Sequence, residues 1–184
     1  MDELIFVTTN PGKVMEAREI AKDYNIRIVP NDYDAREIRS EEVGEIAADS
    51  ALDAYEHIKK PLIVEDSGFF LDAFQGFPGT YSAFIFKKIG IDGVMRVMGN
   101  VPERGASMKS AVAFTDGKIV KTFEGEVKGS VPAKKEGEKG FGYDPIFIPE
   151  GLSTTFGEDP LYKAKVSHRA RSLMKLFEWY TKKY

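Results

Sequence analysis

The chain has 184 residues, 42% hydrophobic and 30% charged, with a net charge of −3. That length holds one domain or two closely packed lobes, and it buries enough surface to need no covalent staples. The absence of cysteine excludes disulfides, thiolate metal sites and cysteine nucleophiles and suits a reducing cytoplasm, while the negative balance offers no overall field to nucleic acid, so an anionic ligand must be caught by a local cluster of cations.

No apolar run approaches the ~18 residues of a membrane span, and the acidic Met1-Asp2-Glu3 does not read as a signal peptide. Leu4-Ile5-Phe6-Val7 predicts a first strand. The polar turn Thr8-Thr9-Asn10-Pro11-Gly12-Lys13 follows, then a helix from about Lys13 to Asp23 with Val14, Ala17, Ile20 and Ala21 on one face. A short strand is predicted over Ile26–Val29, an acidic segment over 30–42, and a helix from about Val43 to Lys59 that turns Ala47, Ala51, Ala54, Tyr55 and Ile58 inward. Pro61-Leu62-Ile63-Val64 reads as a buried strand ending at Glu65-Asp66-Ser67-Gly68. Between Gly76 and Gly99 lie turn residues and two short helical patterns.

The grammar then changes. Ala106–Thr115 and Lys118–Val127 are extended segments joined by Asp116-Gly117, the signature of a two-residue hairpin with positive φ at both central positions. Residues 128–140 read as a mobile surface loop, and Pro145–Pro149 as a short strand. The last helix is predicted from a cap at Ser167, with Ala170, Leu173, Met174, Phe177 and Tyr180 buried and Trp179 at the margin. Strand–helix–strand alternation followed by a hairpin implies an α/β fold on a mixed sheet.

Five places carry chemistry. The turn from Thr8 to Lys13 joins a strand to a helix, so its N–H groups, the positive helix end and the Lys13 ammonium suit a phosphate chain. It is not the usual phosphate loop, and it also reads as an ordinary capped turn with a surface lysine. Asp66 follows a buried strand and suits a Mg²⁺ ligand or a general base, or an Asx turn. Strand alternation points Glu65 the other way. Glu37, in the acidic segment, suits a second ligand but is not separable from Asp32, Glu41 and Glu42. Gly140-Phe141-Gly142-Tyr143-Asp144-Pro145 sets two aromatics on a turn, to stack on a nucleobase or to plug the core. Ser167-His168-Arg169, with Lys163 shortly before, offers donors to an anion or a carbonyl oxygen. His57 reads as a surface or boundary residue.

Together these motifs resemble the inosine triphosphate pyrophosphatase family, which hydrolyses non-standard purine nucleoside triphosphates (ITP, dITP and XTP) to the monophosphate and pyrophosphate. Thr8-x-Asn10-x-x-Lys13, Glu65-Asp66-Ser67-Gly68, Pro78-Gly79-x-Tyr81-Ser82-Ala83, Gly140–Pro145 and Ser167-His168-Arg169 occur in the family's order. The resemblance implies one pyrophosphatase domain over 1–184, α/β in class, with a long mixed sheet flanked by helices and two lobes around a substrate cleft. It implies that Thr8, Thr9, Asn10, Pro11, Gly12 and Lys13 hold the triphosphate. Asp66 becomes the proton acceptor and, with Glu37, a Mg²⁺ ligand. Ser67 touches substrate, Phe141, Gly142, Tyr143 and Asp144 cradle the base, and Lys163, His168 and Arg169 complete the pocket.

The resemblance also implies a homodimer, while composition and charge lead to the expectation of a cytoplasmic protein with no nucleic acid or membrane partner. Phe84 and Ala164 stand where the family often has arginine and asparagine. A non-catalytic nucleotide sensor and a pyrophosphatase for modified pyrimidine nucleotides are the rival readings. The two acids Glu37 and Asp66 favour metal chemistry over a sensor.

Overall fold

The computed structural model describes residues 2–183. β1 (Asp2–Val7) leads through the polar turn into α1 (Pro11–Ala21). The helix begins at Pro11 rather than Lys13 because Asn10 caps it. The Asn10 backbone is extended, and its side-chain oxygen accepts the N–H groups of Gly12 at 2.9 Å and Lys13 at 3.4 Å. Proline suits the first helical position, whose N–H has no helical partner in any case. Val14, Ala17, Ile20 and Ala21 are buried, as their spacing predicts.

β2 (Ile26–Asn31) and α2 (Val43–Ile58) follow. The helix buries Val43, Ile46, Ala47, Ser50, Ala51 and Ala54, whereas Tyr55 and Ile58 are only half-buried. β3 (Leu62–Leu71) overruns its predicted end at Glu65–Gly68. Its second half continues because it has a partner: β4 (Pro78–Gly79) pairs antiparallel with Phe69 and Phe70. Ser82 fastens this pairing, accepting the Phe69 N–H at 2.7 Å and donating to the Gly79 carbonyl at 2.5 Å. Gly68 allows the close approach, since a Cβ there would stand 2.5 Å from the Gly79 carbonyl oxygen.

α3 (Ser82–Met98) joins the two predicted helical patterns across a break at Gly90, where φ is 63° and ψ −176°. β5 (Gly105–Thr115) and β6 (Val120–Ser130) form the predicted pair of extended segments. Their connection spans residues 116–119 rather than two residues. Gly117 takes positive φ, 85°, but Asp116 does not. Instead the Asp116 carboxylate accepts the N–H groups of Lys118 and Ile119, at 2.9 and 3.1 Å, which closes an Asx-type turn.

β6 takes up the first residues of the predicted loop, through Ser130. The rest of that segment is tied down: Glu136 N–H donates to the Pro145 carbonyl at 2.9 Å, and Lys139 N–H to Gly157 at 3.1 Å. The predicted strand 145–149 shrinks to β7 (Ile148–Pro149), because Asp144–Ile146 winds into a 3-10 turn around Pro145. α4 (Pro160–Val166) was not legible in the periodicity. Asp159 caps it by accepting the Tyr162 N–H at 3.0 Å. α5 (His168–Lys183) buries Ala170, Leu173, Phe177 and Tyr180 as predicted, with His168, Arg169, Ser172 and Leu176. Met174, predicted inside, is exposed. Trp179 sits at the core margin, edge-on to Phe114 at 5.3 Å.

The seven-stranded sheet has the order β2-β1-β3-β5-β6-β7, with β4 beside β3. β1 runs parallel to β2 and β3, whereas β6–β7 and β3–β4 are antiparallel. The sheet is therefore mixed, as predicted. The chain divides into two compact units. The first comprises the residues up to Asp66, Ser110–Gly125 and the residues from His168 onward; the second comprises Ser67–Lys109 and Glu126–Ser167. Each has its own core. In the first, Leu4, Phe6, Ile63, Phe114, Leu173 and Phe177 pack together. In the second, Phe69, Met98, Met108, Tyr143, Phe147 and Phe156 do so. A fully buried side chain of this size contributes about 1.5–3 kcal/mol.

Candidate active site

In the first unit, parallel pairing sets Val7 of β1 beside Val64 of β3. The Thr8–Lys13 turn therefore leaves β1 level with the point where β3 reaches Glu65 and Asp66. Lys13 bridges the two elements. Its Nζ donates to the Glu65 backbone carbonyl at 2.9 Å and lies 2.9 Å from Glu65 Oε2. The turn's own N–H groups are partly spoken for, since the Asn10 side chain takes those of Gly12 and Lys13. Thr8 Oγ1 accepts the Asn10 N–H at 3.1 Å, and Thr9 is exposed.

Glu65 is the hub of this unit, and sequence reasoning missed it. Its side chain is wholly buried. Oε1 accepts the Ser110 hydroxyl at 2.6 Å and lies 3.1 Å from Arg169 Nε. Arg169 Nη1 in turn donates to Glu16 Oε2 at 2.6 Å. Ser110 Oγ is 3.0 Å from Ser172 Oγ, which donates to the Arg169 carbonyl at 3.0 Å. The available signal was a charged residue directly following the buried apolar run Leu62-Ile63-Val64, which requires counterions from elsewhere if it is buried too.

Burial opposes the charge on Glu65, but Arg169 and Lys13, helped by the Ser110 hydroxyl, hold its carboxyl well below the usual carboxylate range. Burial likewise opposes the charge on Arg169, and Glu65 and Glu16 hold its guanidinium above the usual arginine range.

Asp66, next in the strand, is half-buried and by alternation faces away from Glu65. Glu37 is exposed, on a segment without regular structure. Its neighbour Arg36 ties that segment to α2: the Arg36 N–H donates to Asp53 at 3.0 Å, and its carbonyl accepts the Ser50 hydroxyl at 2.9 Å. Among the described residues no three Asp, Glu or His side chains gather into a preformed metal cage. His168 is buried at the start of α5. There β6 comes close at Gly125, where a Cβ would stand 2.1 Å from the His168 carbonyl oxygen.

In the second unit, Asp144 and Lys163 form a sealed ion pair, Nζ to Oδ2 at 2.7 Å. The same carboxylate oxygen accepts the Phe141 N–H at 2.8 Å, and the Lys163 ammonium lies 4.3 Å from the centre of the Phe141 ring. Gly140 makes this possible: its φ is 78°, and a Cβ would collide with Asp144 Oδ2. The two aromatics divide the roles that sequence left open. Tyr143 is a core residue, stacked on Phe69 at 4.6 Å with its hydroxyl donating to the Ser82 carbonyl at 2.8 Å. Burial pushes its phenol up to about 12. Phe141 is only half-buried, as are Gly142 and Ser67.

Residues 4–179 match the model of the Ham1 family. The dITP/XTP pyrophosphatase of Saccharolobus solfataricus is 44% identical over 181 residues, covering 96% of this chain and 94% of that protein. The dITP/XTP pyrophosphatase of Methanopyrus kandleri is 42% identical over 181 residues, with 97% and 96% covered. Among solved structures, the Ham1 protein of Staphylococcus aureus superposes with a TM-score of 0.84 at 27% identity, over 100% of both chains. The nucleoside-triphosphatase (dITP/XTP pyrophosphatase) of Mycobacterium abscessus gives 0.73 at 29% identity, over 95% of this chain and 97% of that one.

Proposed function

We propose, from the premise that this chain belongs to the Ham1 family, that it is a nucleoside triphosphate pyrophosphatase for non-standard purine nucleotides. It takes dITP, XTP and ITP to the monophosphate and pyrophosphate, in the cytoplasm and as a homodimer. The observation that carries the reading is the Lys13 bridge to Glu65. It fixes a cation-bearing strand–helix turn next to a half-buried aspartate.

In this reading the turn from Thr8 through Thr9, Asn10, Pro11 and Gly12 to Lys13 binds the triphosphate. Asp66 accepts the proton of the water that attacks the α-phosphorus. Glu37 and Asp66 hold Mg²⁺. Two hard carboxylates are what this ion takes from a protein, alongside phosphate and water oxygens, and both are reachable from solvent, Glu37 exposed and Asp66 half-buried. When bound, the ion neutralises phosphate charge. Ser67, Phe141, Gly142, Tyr143, Asp144, Lys163, His168 and Arg169 form the rest of the substrate pocket, with the buried Tyr143, Asp144, Lys163 and Arg169 as its supports.

Phe141 is the ring placed to stack on a base. Asp144 fixes its backbone by accepting the Phe141 N–H. Discrimination against adenine comes from donors that pair with the purine O6 and are left unpaired by the adenine amine, the kind of mismatch that gives large ratios, while guanine, which shares O6, is excluded by a clash or mismatch at its 2-amino group.

The decisive test is pyrophosphate release from dITP, XTP, ITP, GTP and ATP, with and without Mg²⁺. The reading expects Mg²⁺-dependent release from the first three and much lower kcat/KM for GTP and ATP; equal values across the panel would sink it. Asp66→Asn should lower kcat by about 10²–10⁴-fold, the range for a lost general base, while nucleotide still binds. Sedimentation should give a particle of twice the chain mass.

A further inference from the structure

Lys13 meets its phosphate already holding a counterion. Its ammonium donates to the Glu65 backbone carbonyl at 2.9 Å and forms an ion pair with Glu65 Oε2, also at 2.9 Å. The Lys13 side chain keeps 18% of its surface exposed, whereas Glu65 keeps none. Glu65 is also fastened from two other elements, by Ser110 of β5 and Arg169 of α5. Lys13 is therefore the member that can shift, and Glu65 the one that stays. The charges of Lys13, Arg169, Glu65 and Glu16 sum to zero, so this cluster presents no excess positive charge to an anion.

We propose that Glu65 is a positioning residue that competes with phosphate for Lys13, which keeps pyrophosphate affinity low and lets the product leave. This rests on the reading of Lys13 as a phosphate contact. On binding, the Lys13 ammonium exchanges or shares Glu65 Oε2 for a phosphate oxygen; on release, Glu65 takes it back. The buried carboxylate thus lowers the depth of the product-bound state as well as holding the lysine in place.

A residue that only supports the fold gives weaker ligand binding when it is changed. A competitor gives the opposite sign. The test is titration of inorganic pyrophosphate by calorimetry into the full-length wild type and Glu65→Gln, alongside steady-state turnover of dITP. The substitution should tighten pyrophosphate binding about tenfold and lower both KM and kcat. Glu65→Asp, which keeps the charge, should bind within about threefold of wild type. Unchanged or weaker pyrophosphate binding by a folded Glu65→Gln overturns the proposal.

If that variant does not fold, the Glu65 carboxyl carbon of the wild type is followed by NMR as pyrophosphate is added. Its signal should shift as the Lys13 ammonium leaves Oε2 for a phosphate oxygen, and a signal unchanged at saturation overturns the proposal. Wild type that neither binds pyrophosphate nor releases it from dITP removes the functional reading itself and the proposal with it. Wild type that does both, with no tightening in Glu65→Gln, removes the proposal alone.

Discussion

Each of the two units sets a lysine against a buried carboxylate, and they balance the charge differently. In the first, Glu65 is shared among Lys13, Arg169 and Ser110, and Arg169 has a second carboxylate in Glu16. In the second, Asp144 and Lys163 form one pair whose side chains are 3% and 4% exposed, roofed by the Phe141 ring. A shared network with a partly exposed cation can exchange a partner at modest cost. A sealed pair cannot, because a buried charge left alone costs more than the pair contributed. The first arrangement suits a site where an anion comes and goes. The second suits a support that holds an aromatic ring in one posture.

The largest expected effect breaks the sealed pair. Asp144→Ala strands the Lys163 charge and removes the acceptor of the Phe141 N–H, and should cost about 3–5 kcal/mol in urea unfolding. Replacing both partners, as Asp144→Leu with Lys163→Met, should recover at least half of that loss. A single variant within 1 kcal/mol of wild type, roughly the worth of an exposed pair, would show that the pair is not sealed. Phe141→Ala comes next, and it acts on function. Loss of a stacking face worth about 1–3 kcal/mol per base should lower kcat/KM for dITP by about 10–100-fold. The cost in stability should be smaller, about 1 kcal/mol, for the lost ring–ammonium contact.

Glu16→Gln tests the tolerance of the shared network. Arg169 keeps Glu65, and the Glu16 side chain is partly exposed. Unfolding should therefore register about 1–2 kcal/mol, less than for Asp144→Ala. A larger loss than for Asp144→Ala would reverse the comparison. The smallest effect is confined to alkaline pH and to the second unit. The Tyr143 phenol, ordinarily near 10, is raised by burial to about 12. The folded state thus holds this proton where the unfolded chain releases it, so the contribution to stability is complete below pH 10 and lost as pH rises toward 12. Melting temperatures across pH 9–12 should fall more steeply for wild type than for Tyr143→Phe.

Much of the fold was legible because it depends on neighbours in the chain. The stripe of Val14, Ala17, Ile20 and Ala21 and the polar turn before it follow from periodicity and capping. The errors also have local causes. β3 was cut short because its continuation depends on β4 and the Ser82 hydroxyl, which arrive later in the chain. The turn after β5 was misjudged because the Asp116 side chain offered the backbone a competing set of bonds. α4 was missed because its seven residues bury little beyond Lys163, so no apolar stripe announces it.

The sequence by itself determined the α/β order of elements, the strand–turn–helix that carries Lys13, and the motifs that link this chain to the Ham1 family. Only the tertiary structure decided how the charges are matched. Lys13 meets a carboxylate 52 residues away, and Arg169 meets one 153 residues away. Only the structure separated Tyr143, drawn into the core, from Phe141, left partly outside. The reason is physical. Periodicity and capping report on torsions within a few residues, whereas a buried charge is stable only where distant elements bring its counterions, and no local pattern records which ones they are.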